Sequence, residues 1–183
     1  MNTGTDLTFA SVDRSRLADF EALFEAPGGP KYCWCMAWRE MPADARQRDG
    51  TARKAAMLAR VRRDEPVGLL GYQAGTPVAW VSIAPRSSYR PLGGPEAAPG
   101  ESIWSLACMY VLRRLRGTGM AYRLIGAAVD HARAQGATVV EAYPVAADSP
   151  SYRFMGFVPA FERLAFEHCG MAGSRRHVMR LRL

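Results

Sequence analysis

Residues 103–136, IWSLACMYVLRRLRGTGMAYRLIGAAVDHARAQG, contain the pattern that decides the fold. The run Ile103–Val111 is apolar and long enough for a buried strand. After a turn with two glycines, residues 124, 125, 128, 129 and 132 form one apolar stripe at helical spacing, and Gly136 provides a helix stop. The stretch therefore predicts a strand, a glycine turn and an amphipathic helix in direct succession.

The chain before this stretch predicts a hairpin and a long loop. Apolar runs at residues 67–72 and 77–83 flank the turn Ala74-Gly75-Thr76, which is typical of two antiparallel strands. Residues 85–100 are rich in proline and glycine and predict a loop. A loop of that length commonly has a use, such as covering a ligand.

The N-terminal part predicts a strand and two helices. Residues 7–10 read as a short strand, and apolar residues at helical spacing over 17–24 predict a helix that ends at Pro27. Residues 44–63 predict a basic helix. Its inward-facing residues are expected to be Ala55, Ala56, Leu58 and Ala59.

The chain after Gly136 completes an alternation of strands and helices. Residues 138–143 predict a buried strand, residues 159–166 a short helix and residues 177–183 a closing strand. The predicted fold class is α/β (α+β), with a mixed central sheet of about six or seven strands flanked by helices. The length of 183 residues suits one domain, predicted over residues 1–183.

The charge composition indicates the kind of ligand. The chain has 24 Lys and Arg against 17 Asp and Glu, a formal net charge of +7, and all but Lys31 and Lys54 of the basic residues are arginine. The planar arginine fork suits phosphate and carboxylate, so anionic ligands are expected. The arginines are dispersed and no nucleic-acid-binding motif occurs, so nucleic acid is not an expected partner.

The ends and the cysteines bear on the cell compartment. The N-terminal residues lack the pattern of a secretory signal, and no apolar run is long enough to span a membrane. Four cysteines are too few for a disulfide scaffold, so reduced thiols and a cytoplasmic protein without membrane contact are expected. Cys33-Trp34-Cys35 has no second pair at ligand spacing, so no metal is expected.

The glycine turn is a candidate anion site. A strand that turns directly into a helix exposes unpaired N–H groups at the positive end of the helix dipole. Gly117 and Gly119 would let a phosphate or pyrophosphate approach these groups. Basic residues surround the turn, namely Arg113, Arg114, Arg116 and Arg123. Alternatively, the glycines only form a tight turn and the arginines are solvated.

Two phosphate-binding designs do not fit this turn. The nucleotide P-loop ends in Gly-Lys-Ser/Thr, and neither lysine lies here. A dinucleotide-binding turn needs a third glycine, where this chain has Tyr122, and an opening βαβ unit, which the preceding chain lacks.

A third design matches. Residues 116–121, Arg-Gly-Thr-Gly-Met-Ala, match the Arg/Gln-x-x-Gly-x-Gly/Ala signature of the GNAT superfamily of N-acetyltransferases, which the chain resembles over residues 5–183. A register that begins at Arg114 also fits, but the spacing to Leu124 favours Arg116. Residues 33–36, 81–87, 141–144 and 161–163 resemble a bacterial subgroup of this superfamily, and that resemblance implies no particular acceptor.

The resemblance implies transfer of an acetyl group from acetyl-CoA, as cosubstrate, by direct attack of an amine, without a metal. It implies that the main chain of Met109, Tyr110 and Val111 contacts the pantetheine arm and the acetyl carbonyl. It also implies a set of pyrophosphate-binding residues, namely Arg116, Gly117, Thr118, Gly119, Met120 and Ala121.

Tyr152 is the candidate general acid that the resemblance implies. Residues 152–157, Tyr-Arg-Phe-Met-Gly-Phe, match the family's Tyr-x-x-x-Gly-Phe pattern, whose tyrosine commonly protonates the departing thiolate. Residues 161–166 have the same spacing with Phe161 at that position, and phenylalanine donates no proton. The alternative role of Tyr152 is an aromatic wall of the acceptor pocket.

The candidate general bases are Glu101 and Glu141, the carboxylates nearest in sequence to the ends of two neighbouring strands. A water chain to solvent is the alternative. Cys108, in the middle of a strand, is expected to be an inert buried thiol.

The acceptor is expected to be an amine of a small molecule or peptide. Tyr32, Trp34 and Trp38 would line its pocket, unless two of the three are core, and Arg86, Tyr89 and Arg90 of the loop could close over it. The protein is expected to be a monomer or homodimer. A non-catalytic acyl-CoA-binding sensor or partner module of the same fold is the alternative function.

Overall fold

The computed structural model describes residues 7–41 and 50–183, in which seven strands form one sheet in the order β1-β2-β3-β4-β5-β7-β6. The strands are β1 Leu7–Ser11, β2 Leu69–Gln73, β3 Thr76–Pro85, β4 Ile103–Val111, β5 Val139–Ala142, β6 Glu167–Ala172 and β7 Arg176–Arg182. The α-helices are α1 Leu17–Glu25, α2 Gly50–Arg62, α3 Met120–Ala134 and α4 Val158–Glu162.

Strand β5 pairs with only the first half of β4. We call the gap beside the second half of β4, residues 107–111, the wedge. All neighbouring strands are antiparallel except β4 and β5, which are parallel. The parallel pairing runs only from Ile103 opposite Val139 to Leu106 opposite Ala142. Within the described chain, the second half of β4, residues 107–111, pairs with β3 but has no strand on its other side. This half of β4 therefore presents a free edge beside the glycine turn.

The two faces of the sheet are covered by different helices. One face packs against α3, whose buried stripe consists of Leu124, Ile125, Ala128, Val129 and Ala132. The other face packs against α1 and α2 around an aromatic cluster of Phe20, Phe24, Trp34 and Trp80. Burial of these apolar surfaces, at about 25 cal/mol per Å², holds the helices on the sheet.

The mixed sheet confirms the predicted fold class, and the hairpin, β4 and the stripe of α3 lie where the sequence placed them. One strand, β6, has no counterpart in the sequence prediction. Its residues, EHCGMA, are mostly exposed at the sheet edge and show no apolar alternation. The prediction of one domain over residues 1–183 stays a prediction, because residues 1–6 and 42–49 lie outside the described chain.

Two predicted helices differ from the observed ones. Residues 44–49 of the basic helix lie outside the described residues, and in α2 the buried residues are Met57, Leu58 and Val61. Ala55 is exposed, not inward-facing, because two residues turn a helix by about 200° and place Ala55 opposite Met57. The helix predicted over 159–166 is α4, which ends at Glu162.

Candidate active site

The turn between β4 and α3 is open above its backbone. A short 3-10 helix, Arg113–Leu115, follows β4 and leads into Gly117 and Gly119, whose φ angles are +78° and +83°. These positive angles favour glycine. A Cβ built on either glycine would meet nothing within 4 Å, so the space above the turn is free for a ligand.

The N–H groups of the turn are available to an anion. Among the described residues, none of the N–H groups of residues 117–122 donates a hydrogen bond. Those of residues 120–122 are free because α3 begins at Met120 and Arg123 is the first donor to bond back, to Gly119 O. Two side chains fix the turn: Thr118 Oγ1 donates to Leu115 O at 2.7 Å, and Arg116 Nε donates to Val111 O at 3.0 Å. The positive end of the α3 dipole adds to the attraction for an anion.

Four arginines surround this turn with uncompensated charge. Arg113, Arg114, Arg116 and Arg123 are exposed, and in the described part of the chain none forms an ion pair. A cavity of about 300 Å³ lies beside the turn and is lined by Leu7, Gln73, Leu115, Thr118, Met120 and Arg123. The residues present therefore fit a ligand with several phosphates.

The free edge of β4 directs two residues into the wedge. Leu112 N–H donates to Val78 O, and Tyr110 pairs with Trp80 in the antiparallel ladder. Because backbone groups alternate in direction along such a ladder, those of Tyr110 point to β3, whereas those of Met109 and Val111 point into the wedge. Main-chain contacts in the wedge thus fall to Met109 and Val111.

A small apolar pocket lies beside Met109, on the side of the segment that follows α1. Its volume is about 150 Å³. It is lined by Pro30, Cys33, Cys35, Ala37, Trp38, Ala107, Cys108, Met109, Tyr110 and Phe154. The pocket thus adjoins the wedge-facing part of β4, where an acceptor could meet an acyl group.

Three of the lining residues are thiols. Cys35 Sγ lies 2.9 Å from Cys108 Sγ and accepts a hydrogen bond of 2.9 Å from Trp80 Nε1. Burial raises the pKa of Cys35, and the hydrogen bond to Cys35 together with burial raises the pKa of Cys33. Both groups therefore stay protonated at neutral pH and contribute apolar surface rather than nucleophiles.

Only one of the three aromatic residues proposed for the acceptor pocket lines it. Trp38 does so, whereas Tyr32 is 73% exposed and Trp34 is core, stacked on Phe24 at 4.9 Å. The sequence analysis missed Phe154 as a lining residue and expected Cys108 only as an inert buried thiol. The proximity of Phe154 to the motif residue Tyr152 was the one signal that could have identified it.

Tyr152 lies next to this pocket. Its ring is 6.3 Å from the rings of both Trp38 and Phe154, and its φ of +58° turns the chain sharply before a 3-10 helix. Phe161, at the corresponding position of the competing register, is fully buried and contacts Phe166. That register therefore places its aromatic ring in the core, away from solvent. The role of Tyr152 as the acid stays a prediction.

The two candidate bases lie in an ion-pair cluster away from the pocket. Arg180 joins them, with Nε 2.7 Å from Glu141 Oε2 and Nη1 3.4 Å from Glu101 Oε2. Glu141 is fully buried, accepts a hydrogen bond from Tyr143 and pairs with Arg86 at 3.5 Å. An arginine that stabilises the charged form of a carboxylate disfavours its use as a proton acceptor.

Their positions along the sheet lead to the same conclusion. Glu101 precedes β4, and the strand extends about 20 Å from Ile103 to Met109 at 3.3 Å per residue. Glu141 lies opposite Ser105, about 13 Å along the strand from Met109. Neither carboxylate therefore reaches an amine at Met109 directly.

The loop over residues 85–100 is anchored by its own contacts and does not extend freely over the pocket. Arg86 Nη1 donates to Pro95 O at 2.6 Å, and Tyr89 is buried with its hydroxyl 2.9 Å from Ser82 Oγ. Of the three side chains proposed to close over the acceptor, Arg90 alone lies at the pocket, 5.7 Å from the Trp38 ring.

Two further arginines near Trp38 were missed by the sequence analysis. The guanidinium of Arg176 lies 4.4 Å from the centre of the Trp38 ring, and burial lowers the pKa of Arg176. Arg39 is 1% exposed, and its Nε and Nη1 have no hydrogen-bond partner within the described residues. In the sequence both resemble ordinary surface arginines, so no signal distinguished them.

Within residues 7–41 and 50–183, no group of three or more His, Cys, Asp and Glu side chains is arranged to hold a metal ion. The helices in the same part of the chain are all too short or too polar to cross a membrane.

Comparison with known proteins identifies the architecture. The model of the acetyltransferase (GNAT) family matches residues 31–157. No curated protein matches the chain. A GNAT-family acetyltransferase from Streptococcus pneumoniae is 14% identical, with 97% of this chain and 99% of that chain covered and a TM-score of 0.57.

Two other solved structures are similar over their length. A putative acetyltransferase from Salmonella typhimurium, solved with acetyl-CoA, is 19% identical, with 97% of this chain and 94% of that chain covered and a TM-score of 0.57. A ribosomal-protein-alanine N-acetyltransferase from Brucella melitensis is 18% identical, with 96% and 99% covered and a TM-score of 0.56. At these identities the likeness concerns the fold.

Proposed function

The chain belongs to the acetyltransferase (GNAT) family, and on this premise we propose that it transfers an acetyl group from acetyl-CoA to an amine of a small molecule or peptide. The observation that carries the proposal is the open glycine turn. Its N–H groups from residue 117 to residue 122 have no partner in the described chain, and the four arginines around them form no ion pair there. Such a turn suits a pyrophosphate.

Each part of the site has a task in this reaction. Bound acetyl-CoA supplies an activated acetyl thioester. Gly117 to Ala121 hold the pyrophosphate through main-chain N–H groups, with Arg116 and its neighbours supplying charge. Met109 and Val111 orient the pantetheine arm and the acetyl carbonyl through their wedge-facing backbone groups. Holding the two reactants together in this way is a large part of the catalysis, because it replaces a bimolecular encounter.

Proton transfer is the second task. Tyr152, which lies next to the apolar pocket, is the proposed acid for the departing thiolate. Because Glu101 and Glu141 are engaged by Arg180, we assign the deprotonation of the amine to water and not to either carboxylate. We further propose that the protein acts in the cytoplasm, as a monomer or homodimer, without nucleic acid, membrane or metal.

Calorimetry with CoA tests the glycine turn. Gly119→Ala places a methyl group where the ligand would approach, so the affinity for CoA is expected to fall at least tenfold. Gly173→Ala is the matched control, because Gly173 has a φ of +74° and equally open space but lies between β6 and β7. Absence of binding heat with the unmodified protein at high micromolar CoA would contradict the proposal.

One observation favours a second function, a non-catalytic acyl-CoA sensor. Both predicted catalytic carboxylates are held in ion pairs away from the pocket. A broad amine screen separates the two functions by thiol release from acetyl-CoA. CoA binding without thiol release on any acceptor would favour the sensor.

A further inference from the structure

A guanidinium group with unused hydrogen-bond donors lies against Trp38, one of the residues that line the apolar pocket. The Arg176 guanidinium lies 4.4 Å from the ring centre of Trp38, which lines the pocket, and 5.5 Å from that of Tyr152. Its Nη1 donates to Leu92 O at 2.8 Å. Its Nε and Nη2 have no partner in the described chain. These two N–H donors of the guanidinium, which packs against the aromatic rings, can therefore bind a carboxylate.

A second positive charge lies behind the pocket wall. Arg39 Nη2 donates to Val67 O at 3.0 Å and to Tyr89 Oη at 3.1 Å, and it also bonds Ser82 Oγ. Ser82 lies directly opposite Cys108, a lining residue of the pocket. Arg39 is therefore a buried cation close to the pocket, in surroundings that screen charge poorly.

Carboxylates do not balance these charges. Within the residues that the structure describes, Arg39, Arg90 and Arg176 form no ion pair, and the buried Glu141 is paired with Arg86 and Arg180. The local field is therefore positive. Such a field repels polycationic amines, attracts an anionic group, and lowers the pKa of an amine held nearby.

The pocket itself selects by size and polarity. Its volume of about 150 Å³ is large enough for a group of the size of benzene. The lining is formed by thiol, thioether, aromatic and small apolar side chains. It suits one apolar side chain and no further charge.

We propose that the acceptor is a compact monoamine with an apolar side chain and a carboxylate beside the amine, as in an apolar amino acid, and that Arg176 binds the carboxylate. The inference rests on the proposed acetyl transfer. The apolar side chain occupies the pocket beside Met109, and the carboxylate lies at the Arg176 guanidinium, next to Trp38. The positive field favours the neutral, nucleophilic amine, which reduces the need for a protein carboxylate as base.

Thiol release from acetyl-CoA tests this substrate class with matched acceptors. Phenylalanine and leucine are compared with their decarboxylated counterparts, phenethylamine and isoamylamine, and with spermidine. The amino acids are expected to exceed the simple amines by about tenfold to a hundredfold in kcat/KM, because a charge-assisted hydrogen bond is lost without the carboxylate. Spermidine is expected to react least.

The variants locate the effect at one side chain. Arg176→Ala is expected to remove the preference for the amino acids mainly through KM, and Arg176→Lys is expected to restore part of it. Arg175→Ala is the matched control, because Arg175 is an exposed neighbour that donates to Ser151 Oγ at 3.0 Å. It is expected to retain the preference in full.

A binding measurement separates this inference from the proposed activity. Calorimetry with N-acetylphenylalanine in the presence of CoA is expected to show binding that weakens at least tenfold in Arg176→Ala. Such binding without turnover supports the substrate class and refutes the transferase. Equal turnover of the simple amines, a preference for spermidine, equal effects of Arg175→Ala and Arg176→Ala, or neither binding nor turnover overturns the inference.

Discussion

Substitution of Gly156 by alanine tests how the segment after β5 packs against the active-site strand. Gly156 has φ +87° and ψ 178°, a combination that is essentially restricted to glycine and costs other residues about 1–3 kcal/mol. Its Cβ would lie 2.5 Å from Met109 Cε and 2.8 Å from Phe161 Cε2, closer than carbon atoms approach. Overpacking of this kind costs about 1–3 kcal/mol more.

The expected loss in the free energy of unfolding is therefore about 2–6 kcal/mol. Urea unfolding, followed by circular dichroism, measures it. Gly173→Ala separates the two causes, because Gly173 also has a positive φ, of +74°, but its Cβ would contact nothing, so only about 1–2 kcal/mol is expected. Met109→Ala combined with Gly156→Ala should recover part of the contact cost, since it removes one of the two clashing groups.

Equal losses in Gly156→Ala and Gly173→Ala would refute the packing argument. The affinity for CoA provides a second readout, because displacement of Met109 also disturbs the free edge of β4. We expect CoA binding to weaken in Gly156→Ala and to stay unchanged in Gly173→Ala.

Three other substitutions have distinct expected outcomes. Glu141→Gln is expected to cost about 1.5–3 kcal/mol in urea unfolding, because it weakens the charge-assisted hydrogen bond to Arg180, which keeps Glu101 as a partner; a large loss of kcat with unchanged stability would instead identify Glu141 as the base. Tyr152→Phe is expected to lower kcat at least about a hundredfold at unchanged CoA affinity; an unchanged kcat would leave the ring as a pocket wall. Burial lowers the pKa of His131 from its ordinary 6.5, so below that pH the unfolded chain binds a proton that the folded chain does not. Stability should therefore fall between pH 7.5 and pH 5.5, and His131→Gln should reduce that fall; identical pH profiles for both proteins would contradict this.

The sequence pattern was sufficient to predict those elements whose structure depends on residues close together in the chain. The apolar run Ile103–Val111, the stripe of α3 and the turn at Gly75 appear as the sequence predicted, because apolar periodicity and glycine placement act over a few residues. Strand β6 was missed because an exposed edge strand is held by its neighbour β7 and needs no apolar pattern of its own.

Candidate residues chosen by sequence proximity were less successful. Glu101 and Glu141 were chosen because they lie near strand ends, but their carboxylates are paired by Arg180, which lies far away in sequence. Trp34 and Trp38 belong to one aromatic segment, yet the first packs in the core and the second lines a pocket. Which side of a turn faces the core depends on contacts that span the whole chain.

Residue types at fixed local spacing account for the family resemblance, the mixed fold and the glycine turn, so these could be predicted without the structure. The folded structure determines which backbone groups of β4 face the wedge and which carboxylates are engaged. It also places Arg176 against Trp38 and Arg39 against Tyr89, and neither forms an ion pair in the described chain. The reason is physical. The direction, burial and electrostatic balance of a side chain are set by residues that approach it only when the chain has folded.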